Sequence, residues 1–175
     1  MKDTIIWRHA NLRLKAQKKS EMLKGNMKEG VKELNNIKVQ KDLHFVFADL
    51  MSKKDTIKIL RDLNSAFPFA KTDIEKNVQK GLGINNKKVI EESIKCIEEG
   101  DVESLGKIMV KAQKNFDKYV APACPEELTS PVLHKVLSDK TIKRLSYGAK
   151  GVGSQGDGTV QVLAKDKESQ MVDGI

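Results

Sequence analysis

A glycine-rich segment near the end of the chain has the residues best suited to chemistry. Five glycines fall within residues 148–158, between two apolar stretches. Glycine adopts positive φ without steric cost and lets a backbone approach a ligand closely. Successive N–H groups in such a loop form a concavity for an anion, most often a phosphate. Lys150 adds a positive charge. The segment therefore predicts a phosphate-binding loop, and the alternative is a tight glycine hairpin that binds nothing.

Two common nucleotide-binding motifs are excluded for this segment. The order of its residues differs from the G-x-x-x-x-G-K-[ST] sequence of a P-loop, which also requires a helix directly after it. A dinucleotide-binding fingerprint needs a strand, loop, helix and strand with an acidic residue for the ribose. Here apolar strand patterns stand on both sides of the glycines instead.

Three short apolar runs are expected to form the strands that position this loop. Residues 43–48 are rich in β-formers, residues 143–149 precede the glycines, and residues 158–164 follow them. Strands joined by a short loop pair antiparallel. Several helices are predicted between the first strand and the second. The expected class is α+β, a small antiparallel sheet with helices packed on one face.

The helices are predicted from apolar spacing and capping residues. Residues 53–65 predict a helix that buries Ile57, Leu60 and Leu63. Thr72 and Glu75 form a capping box for a short helix that Gly81 and Gly83 end in left-handed conformations. Asn86 is the predicted cap of helix 87–99, whose inward residues are Val89, Ile90, Ile94 and Ile97. Gly100 and Asp101 are expected to join this helix to the next one as an antiparallel pair. Ser130 is the predicted cap of a helix that begins with Pro131.

Composition and charge limit the classes of protein. The chain of 175 residues carries a net charge of +8. Residues 1–41 hold 11 Lys and Arg against 4 Asp and Glu, a net of +7, and the other 134 residues hold 21 against 20, a net of +1. The basic character thus belongs to an N-terminal segment, 1–41, predicted to be helical or partly disordered, and a domain, 42–175, follows it. This distribution argues against a nucleic-acid-binding domain.

The sequence also suggests a location. Its apolar runs fall short of the roughly 20 residues that span a bilayer, and its beginning lacks the apolar region of a secretory signal. Cys96 and Cys124 lack the spacing of metal ligands and are interpreted as core residues without a disulfide. A cytoplasmic protein without a metal centre is expected.

The glycine segment resembles the third conserved motif of the GHMP kinase superfamily, which includes galactokinase, homoserine kinase and mevalonate kinase. That motif approximates G-A-K/R-x-x-G-A-G-x-G-G. Six residues match it directly: Gly148, Ala149, Lys150, Gly153, Gly156 and Gly158. Ser154 and Gln155 stand where Ala and Gly are usual, and Asp157 replaces a glycine. The order of elements over about residues 42–170, with Cys124 and Pro125 before a helix, resembles the C-terminal half of these kinases, in a bacterial sugar-kinase-like branch.

The resemblance implies a ferredoxin-like C-terminal kinase domain that uses ATP and Mg²⁺ and acts on a small molecule, a sugar in this branch. The implied cleft-lining residues are Lys150, Gly151, Gly153, Ser154, Gln155, Gly156 and Asp157. Among them, Gly151, Gly153 and Gly156 would donate backbone N–H groups. Asp157 has two interpretations, a ligand to Mg²⁺ or a sugar hydroxyl, or a residue that stabilises the turn.

In these kinases the main ATP-binding loop and the catalytic aspartate lie in an N-terminal half for which residues 1–41 offer no match. The expectation is a fragment, also shortened at its C-terminal end, that needs that half or a second copy of itself. The catalytic residues stay unassigned. The alternative is a non-catalytic binding or oligomerisation module whose basic N-terminal segment contacts nucleic acid or acidic surfaces.

Overall fold

The computed structural model describes residues 37–170. The chain divides after Lys38, and every element described below belongs to the unit that begins at Val39. The basic segment 1–41 is predicted to be helical or partly disordered. Its residues 1–36 lie outside the described residues, so this stays a prediction. The elements are, in order, β1 (His44–Asp49), α1 (Thr56–Asn64), α2 (Asp73–Lys80), α3 (Asn86–Glu99), α4 (Val102–Tyr119), α5 (Pro125–Leu128), α6 (Pro131–Ser138), α7 (Lys140–Leu145), β2 (Ser146–Gly151), β3 (Thr159–Ala164) and α8 (Lys167–Gln170).

The three strands form one antiparallel sheet in the order β1-β3-β2. Val162 of the central strand lies opposite Val46 on one side and Ala149 on the other. This arrangement confirms the predicted α+β class, the first and third strands, and the antiparallel pairing around the glycine loop.

The second strand begins later than the sequence indicates. Residues 143–145 were assigned to a strand, but they form the end of α7. The reason is Asp139, whose Oδ1 accepts hydrogen bonds from the N–H groups of Thr141 at 2.7 Å and Ile142 at 3.0 Å. This cap starts a helical turn that runs directly into β2 at Ser146.

The sheet has apolar contacts with helices on both faces, whereas the sequence predicts helices on one face. Val160 and Val162 share a buried cluster with Leu133 of α6 and Ile142 of α7. The side chain of Leu163 points to the opposite face, where it joins a cluster built by α3 and α4. The central strand is therefore buried on both sides, which makes it a rigid support for the loop that precedes it.

Helix α4 lies directly against the edge strand β2. A Cβ atom added to Gly148 would overlap the backbone of Gly106, and one added to Gly106 would overlap the backbone of Tyr147. Only glycine permits so close an approach between a helix and a strand. The contact covers part of the β2 edge and fixes α4 next to the start of the glycine loop.

The buried face of α1 differs from the prediction. Ile59 and Leu63 are buried, whereas Ile57 is 81% exposed and Leu60 is 49% exposed. The helix carries apolar residues on two faces, and the contacts of Ile59 and Leu63 with Val120 and Leu128 decide which one turns inward. Leu63 alone of the three predicted core residues is therefore confirmed.

The connection from α2 to α3 is also different. The capping box of Thr72 and Glu75 is present as predicted. Gly81 and Gly83 do not adopt left-handed conformations, because the chain kinks at Gly83, with φ −90° and ψ −106°, and continues through residues Gly81–Asn85 into α3. Gly81 has helical dihedral angles, and its lack of a side chain makes room for Tyr119 and Val120. Asn86 is consequently the first residue of α3 and not its cap.

Helices α3 and α4 form the predicted antiparallel hairpin. Gly100 ends α3 with a φ of 69°, and the Asp101 side chain accepts a hydrogen bond from the N–H of Ser104 at the start of α4. Lys111 Nζ reaches Glu92 across the pair at 2.7 Å. Ile90 was expected to face inward, but 46% of it is exposed because no element covers its side of α3 among the described residues.

Two further observations concern location and cysteine chemistry. None of the helices in residues 37–170 has the length and apolar character that crossing a bilayer requires. Cys124 is buried in the core, Cys96 is partly buried, and both are free thiols.

Candidate functional site

The glycine loop, residues 152–158, joins β2 to β3 in a compact hairpin. The N–H of Val152 donates to the carbonyl oxygen of Thr159 at 3.0 Å, and the N–H of Gln155 donates to that of Val152 at 3.2 Å. Gly153, Gln155 and Gly156 have φ values of 67°, 62° and 68°. A left-handed conformation costs a residue such as Gln155 about 1 kcal/mol or more, so the surrounding contacts must hold it there.

The side chain of Gln155 turns into the hairpin. The residue is 8% exposed, and within residues 37–170 its buried Oε1 has no hydrogen-bond partner. A side chain at Gly151 would overlap this oxygen. Gly151 thus leaves space for Gln155, whose Oε1 is a buried acceptor without a partner among residues 37–170.

The N–H groups of the loop fall into two sets. Gly151, one of the predicted phosphate donors, donates instead to Gln113 Oε1 of α4 at 2.7 Å, in a buried position. For Gly153 and Gly156, the described part of the chain supplies no acceptor. Gly153 is exposed and Ser154 half-buried, which places them at the accessible tip of the loop. The concavity for an anion therefore depends on residues 153–156.

Lys54 lies across the loop, a contact that the sequence did not reveal. It belongs to the segment between β1 and α1, and its Nζ donates to the carbonyl oxygen of Gln155 at 2.9 Å. Its side chain passes over Gly156 and Gly158. A Cβ atom added to Gly158 would overlap the end of the Lys54 side chain, and one added to Gly156 would lie 3.3 Å from Lys54 Cδ. The sequence placed Lys54 beside a helix N-terminus, but residues 101 positions apart give no local signal that they meet.

The start of α1 and the helix α5 complete this side of the loop. Asp55 caps α1 by accepting from the N–H of Lys58 at 2.9 Å, and its own N–H donates to Glu127 Oε2 at 2.9 Å. Residues 53–57 and Glu127 line an open groove of about 530 Å³. The groove carries two lysines and two carboxylates, and both carboxylates already accept hydrogen bonds from the backbone.

Lys150 approaches the loop from the strand β2. Its Nζ donates to the carbonyl oxygen of Gly151 at 2.7 Å. Burial lowers the pKa of this ammonium from 10.5, because removal from water disfavours the charged form. None of the described carboxylates lies within ion-pair distance of Lys150 Nζ, so the charge lacks a counterion in this part of the chain.

Asp157 faces inward and supports a helix. It is 8% exposed, and its Oδ1 accepts a hydrogen bond from the N–H of Leu133 at 2.8 Å. Leu133 is the third residue of α6, so Asp157 supplies the capping interaction that the sequence assigned to Ser130. Ser130 has a φ of 50°, and its side chain makes no capping hydrogen bond. The geometry therefore favours the turn-stabilising interpretation of Asp157.

The arrangement suits an anion better than a metal ion. Two ammonium groups, those of Lys54 and Lys150, adjoin a loop with available N–H groups. Residues 37–170 contain no group of three His, Cys, Asp or Glu side chains able to hold a metal. Because Asp157 is buried and engaged by Leu133, it does not fit the role of a Mg²⁺ ligand.

Comparisons with known proteins give a structural likeness and no sequence match. A scan of protein-family models finds no match, and the search of curated protein sequences finds none. The structure is similar to the crystal structure of L. major mevalonate kinase in complex with R-mevalonate, with a TM-score of 0.49 and 17% sequence identity. The similarity covers 77% of this chain and 37% of that enzyme. A likeness of this degree assigns neither a family nor an activity.

Proposed function

We propose that this chain contributes the phosphate-binding half of an ATP-dependent small-molecule kinase site of the GHMP type, with a sugar as the acceptor. One observation carries the proposal. Lys54 donates to the carbonyl oxygen of Gln155 in the glycine loop, and Lys150 donates to that of Gly151 directly before the loop. For the N–H groups of Gly153 and Gly156, the described residues supply no acceptor. The motif resemblance of residues 148–158 to the GHMP kinases supplies the reaction class.

Phosphoryl transfer requires positioning and neutralisation of charge on the moving group. In this proposal the N–H groups of Gly153 and Gly156 donate to phosphate oxygens, and Ser154 at the loop tip adds a hydroxyl. The ammonium group of Lys54 faces the negative charge. The described residues contain no group of three side chains that would hold Mg²⁺.

The remaining groups of the site would come from elsewhere. The resemblance places the ATP-binding loop and the catalytic aspartate in an N-terminal kinase half. We propose that such a half, or a second copy of the chain, completes the cleft beside Lys53 and Lys54, in the cytoplasm where ATP is available.

Anion binding by the loop is the first test. Titration of ¹⁵N-labelled protein with tripolyphosphate, and separately with Mg·ATP, should shift the amide signals of Gly153, Ser154 and Gly156. Lys54→Ala should weaken this binding about tenfold, the loss expected for one charge-assisted hydrogen bond. Lys88→Ala, which removes an exposed charge on α3, is the matched control. Binding that is unaffected by Lys54→Ala, or that leaves the loop signals unmoved, would contradict the proposal.

Catalysis is a separate test. The chain is mixed with a GHMP kinase N-terminal half, Mg·ATP and a panel of sugars, and ADP release is measured. The proposal predicts sugar-dependent turnover that Lys54→Ala reduces. If the loop binds tripolyphosphate but no sugar supports turnover, the chain is an anion-binding module and the kinase assignment is wrong.

A further inference from the structure

A cleft of about 480 Å³ lies away from residues 151–158, between α4, α6, α7 and β2. Val110, Leu137 and Ile142, one residue from each of the three helices, contribute to its apolar surface, as do Tyr147 and Ala149 of β2. The volume falls within the usual range of about 300–1,000 Å³ for small-molecule sites. The space is large enough for a ring or a short aliphatic chain.

The charges at this cleft are unbalanced. Lys114 of α4 and Lys143 of α7 both line it, and among residues 37–170 neither lysine forms an ion pair. The one carboxylate in its wall, that of Asp117, accepts a hydrogen bond from Gln113 Nε2 at 2.8 Å and lies 3.6 Å from His134 Nε2. The negative charge is thus engaged within the wall, while the two ammonium groups are available.

We propose that this cleft binds a small organic anion with an apolar body. The apolar part packs on Val110, Leu137 and Ile142, and Lys114 and Lys143 bind the phosphate or carboxylate group. A neutral apolar molecule would leave both ammonium groups without a counterion, and a bare anion would leave the apolar wall exposed to water. The proposal does not depend on the function assigned to the glycine loop.

Gln113 connects the cleft to the loop and determines which signals can report binding. Its Nε2 donates to Asp117 in the cleft wall, while its Oε1 accepts from the N–H of Gly151. The Gly151 amide would therefore respond to ligands at either place. The methyl groups of Leu137 and Ile142 line the cleft and lie outside the glycine loop, so they are the more specific probes.

The test is a titration of the full chain, labelled with ¹³C at Leu, Val and Ile methyl groups. Phenyl phosphate and benzoate should both shift the signals of Leu137 and Ile142, and the pair distinguishes phosphate from carboxylate recognition. Inorganic phosphate lacks the apolar body, and benzyl alcohol lacks the anionic group. Each should bind at least about tenfold more weakly than phenyl phosphate.

Two valines give a matched pair of variants. Val110 lines the cleft and is 38% exposed, while Val132 on α6 lies outside it and is 37% exposed. Val110→Glu should weaken phenyl phosphate binding about tenfold by like-charge repulsion, and Val132→Glu should leave it unchanged. Lys143→Ala should weaken it several-fold, whereas Lys54→Ala should not.

Several results would overturn the inference. Methyl signals of Leu137 and Ile142 that stay unmoved at saturating phenyl phosphate would do so. If benzyl alcohol bound as tightly as phenyl phosphate, the cleft would recognise the apolar body and not the anion. An affinity lost in Lys54→Ala but kept in Lys143→Ala would place the anion at the glycine loop instead.

Discussion

At the scale of single residues, Asp157 shows how a side chain in a binding motif can serve the fold. Its carboxylate links the glycine loop to the third residue of α6 through the Leu133 N–H. Loop and helix therefore order together, although 24 residues separate the two partners. Asp157 stands where the GHMP motif usually has glycine. Its hydrogen bond with the Leu133 N–H explains what the side chain does at that position.

Asp157→Ala should lower the free energy of unfolding by about 2 kcal/mol, because the buried N–H of Leu133 loses the acceptor that it has among the described residues. Asp157→Asn, which retains a carbonyl oxygen in the same place, should cost less than about 1 kcal/mol. Urea denaturation followed by circular dichroism measures both. Asp42→Ala, an exposed site, should change little. Equal losses for Ala and Asn would argue against the hydrogen bond as the cause.

Lys150 predicts a dependence of stability on pH. Burial lowers the pKa of its ammonium in the folded state below the ordinary 10.5. At pH values between the lowered pKa of the folded state and 10.5, the unfolded chain binds more protons than the folded chain does. The free energy of unfolding therefore rises with pH in that window. Below it, the folded state bears the full cost of the buried charge.

Lys150→Met should therefore be more stable than the parent near neutral pH, and the difference should shrink as the pH approaches 10.5. Urea titrations at several pH values measure it, with Lys88→Met as the exposed control. Lys150 can also report phosphate binding. Tripolyphosphate bound beside it should raise the pKa of the Lys150 ammonium, which NMR of the lysine Cε detects. A stability difference that is constant with pH would mean that Lys150 is not buried as a cation.

At the scale of elements, the contact between α4 and β2 places the loop. Gly106 and Gly148 let the two backbones meet, and Gln113 extends this contact to Gly151, where the loop begins. The close approach is what brings a helical side chain within hydrogen-bond distance of the strand.

Gly148→Ala should destabilise the protein by about 3 kcal/mol, since the new methyl group would overlap the Gly106 backbone and force the elements apart. Gly106→Ala is the more instructive change. Helix propensity favours Ala over Gly by about 1 kcal/mol, yet overlap with the Tyr147 backbone should outweigh that gain. Thermal and urea unfolding measure both changes. Lys107→Ala, on the exposed side of α4, should stay within about 0.5 kcal/mol. A stabilised Gly106→Ala would show that the two elements can separate without cost.

The elements that the sequence predicted correctly are those specified by neighbouring residues. The Thr72 and Glu75 capping box, the Gly100 and Asp101 turn, and the β-branched strand β3 each depend on contacts within a few positions. The errors arise where distant residues decide. Ile57 faces outward because Val120 and Leu128 pack on the other side of α1, and Ser130 does not cap α6 because Asp157 does.

The candidate site follows the same division. Its glycines and Lys150 were visible in the sequence as a pattern, whereas the contact of Lys54 with Gln155 and the engagement of the Gly151 N–H by Gln113 depend on tertiary packing. An unpaired Gln155 Oε1 also has no signature in the residues around it.

At the scale of the whole molecule, charge separates the proposed function from its alternative. The segment 1–41 carries a net +7, and the rest of the chain carries +1. A module that uses the basic segment on nucleic acid or acidic surfaces would release counterions on binding, and its affinity would fall steeply with salt. In the proposed function, phosphate binding by the glycine loop depends on Lys54 and Lys150 and not on segment 1–41.

Replacing Lys18, Lys19, Lys24 and Lys28 with Gln removes four charges from the basic segment. We expect tripolyphosphate binding at the glycine loop to change less than about twofold, because the proposed function assigns that binding to Lys54, Lys150 and the N–H groups of the loop. Any retention on a heparin column should fall sharply. The matched set Lys87, Lys88, Lys107 and Lys165 to Gln makes the same change in net charge within residues 37–170. Loss of loop binding in the first set alone would make the basic segment part of the phosphate site, and the function would then belong to both regions of the chain.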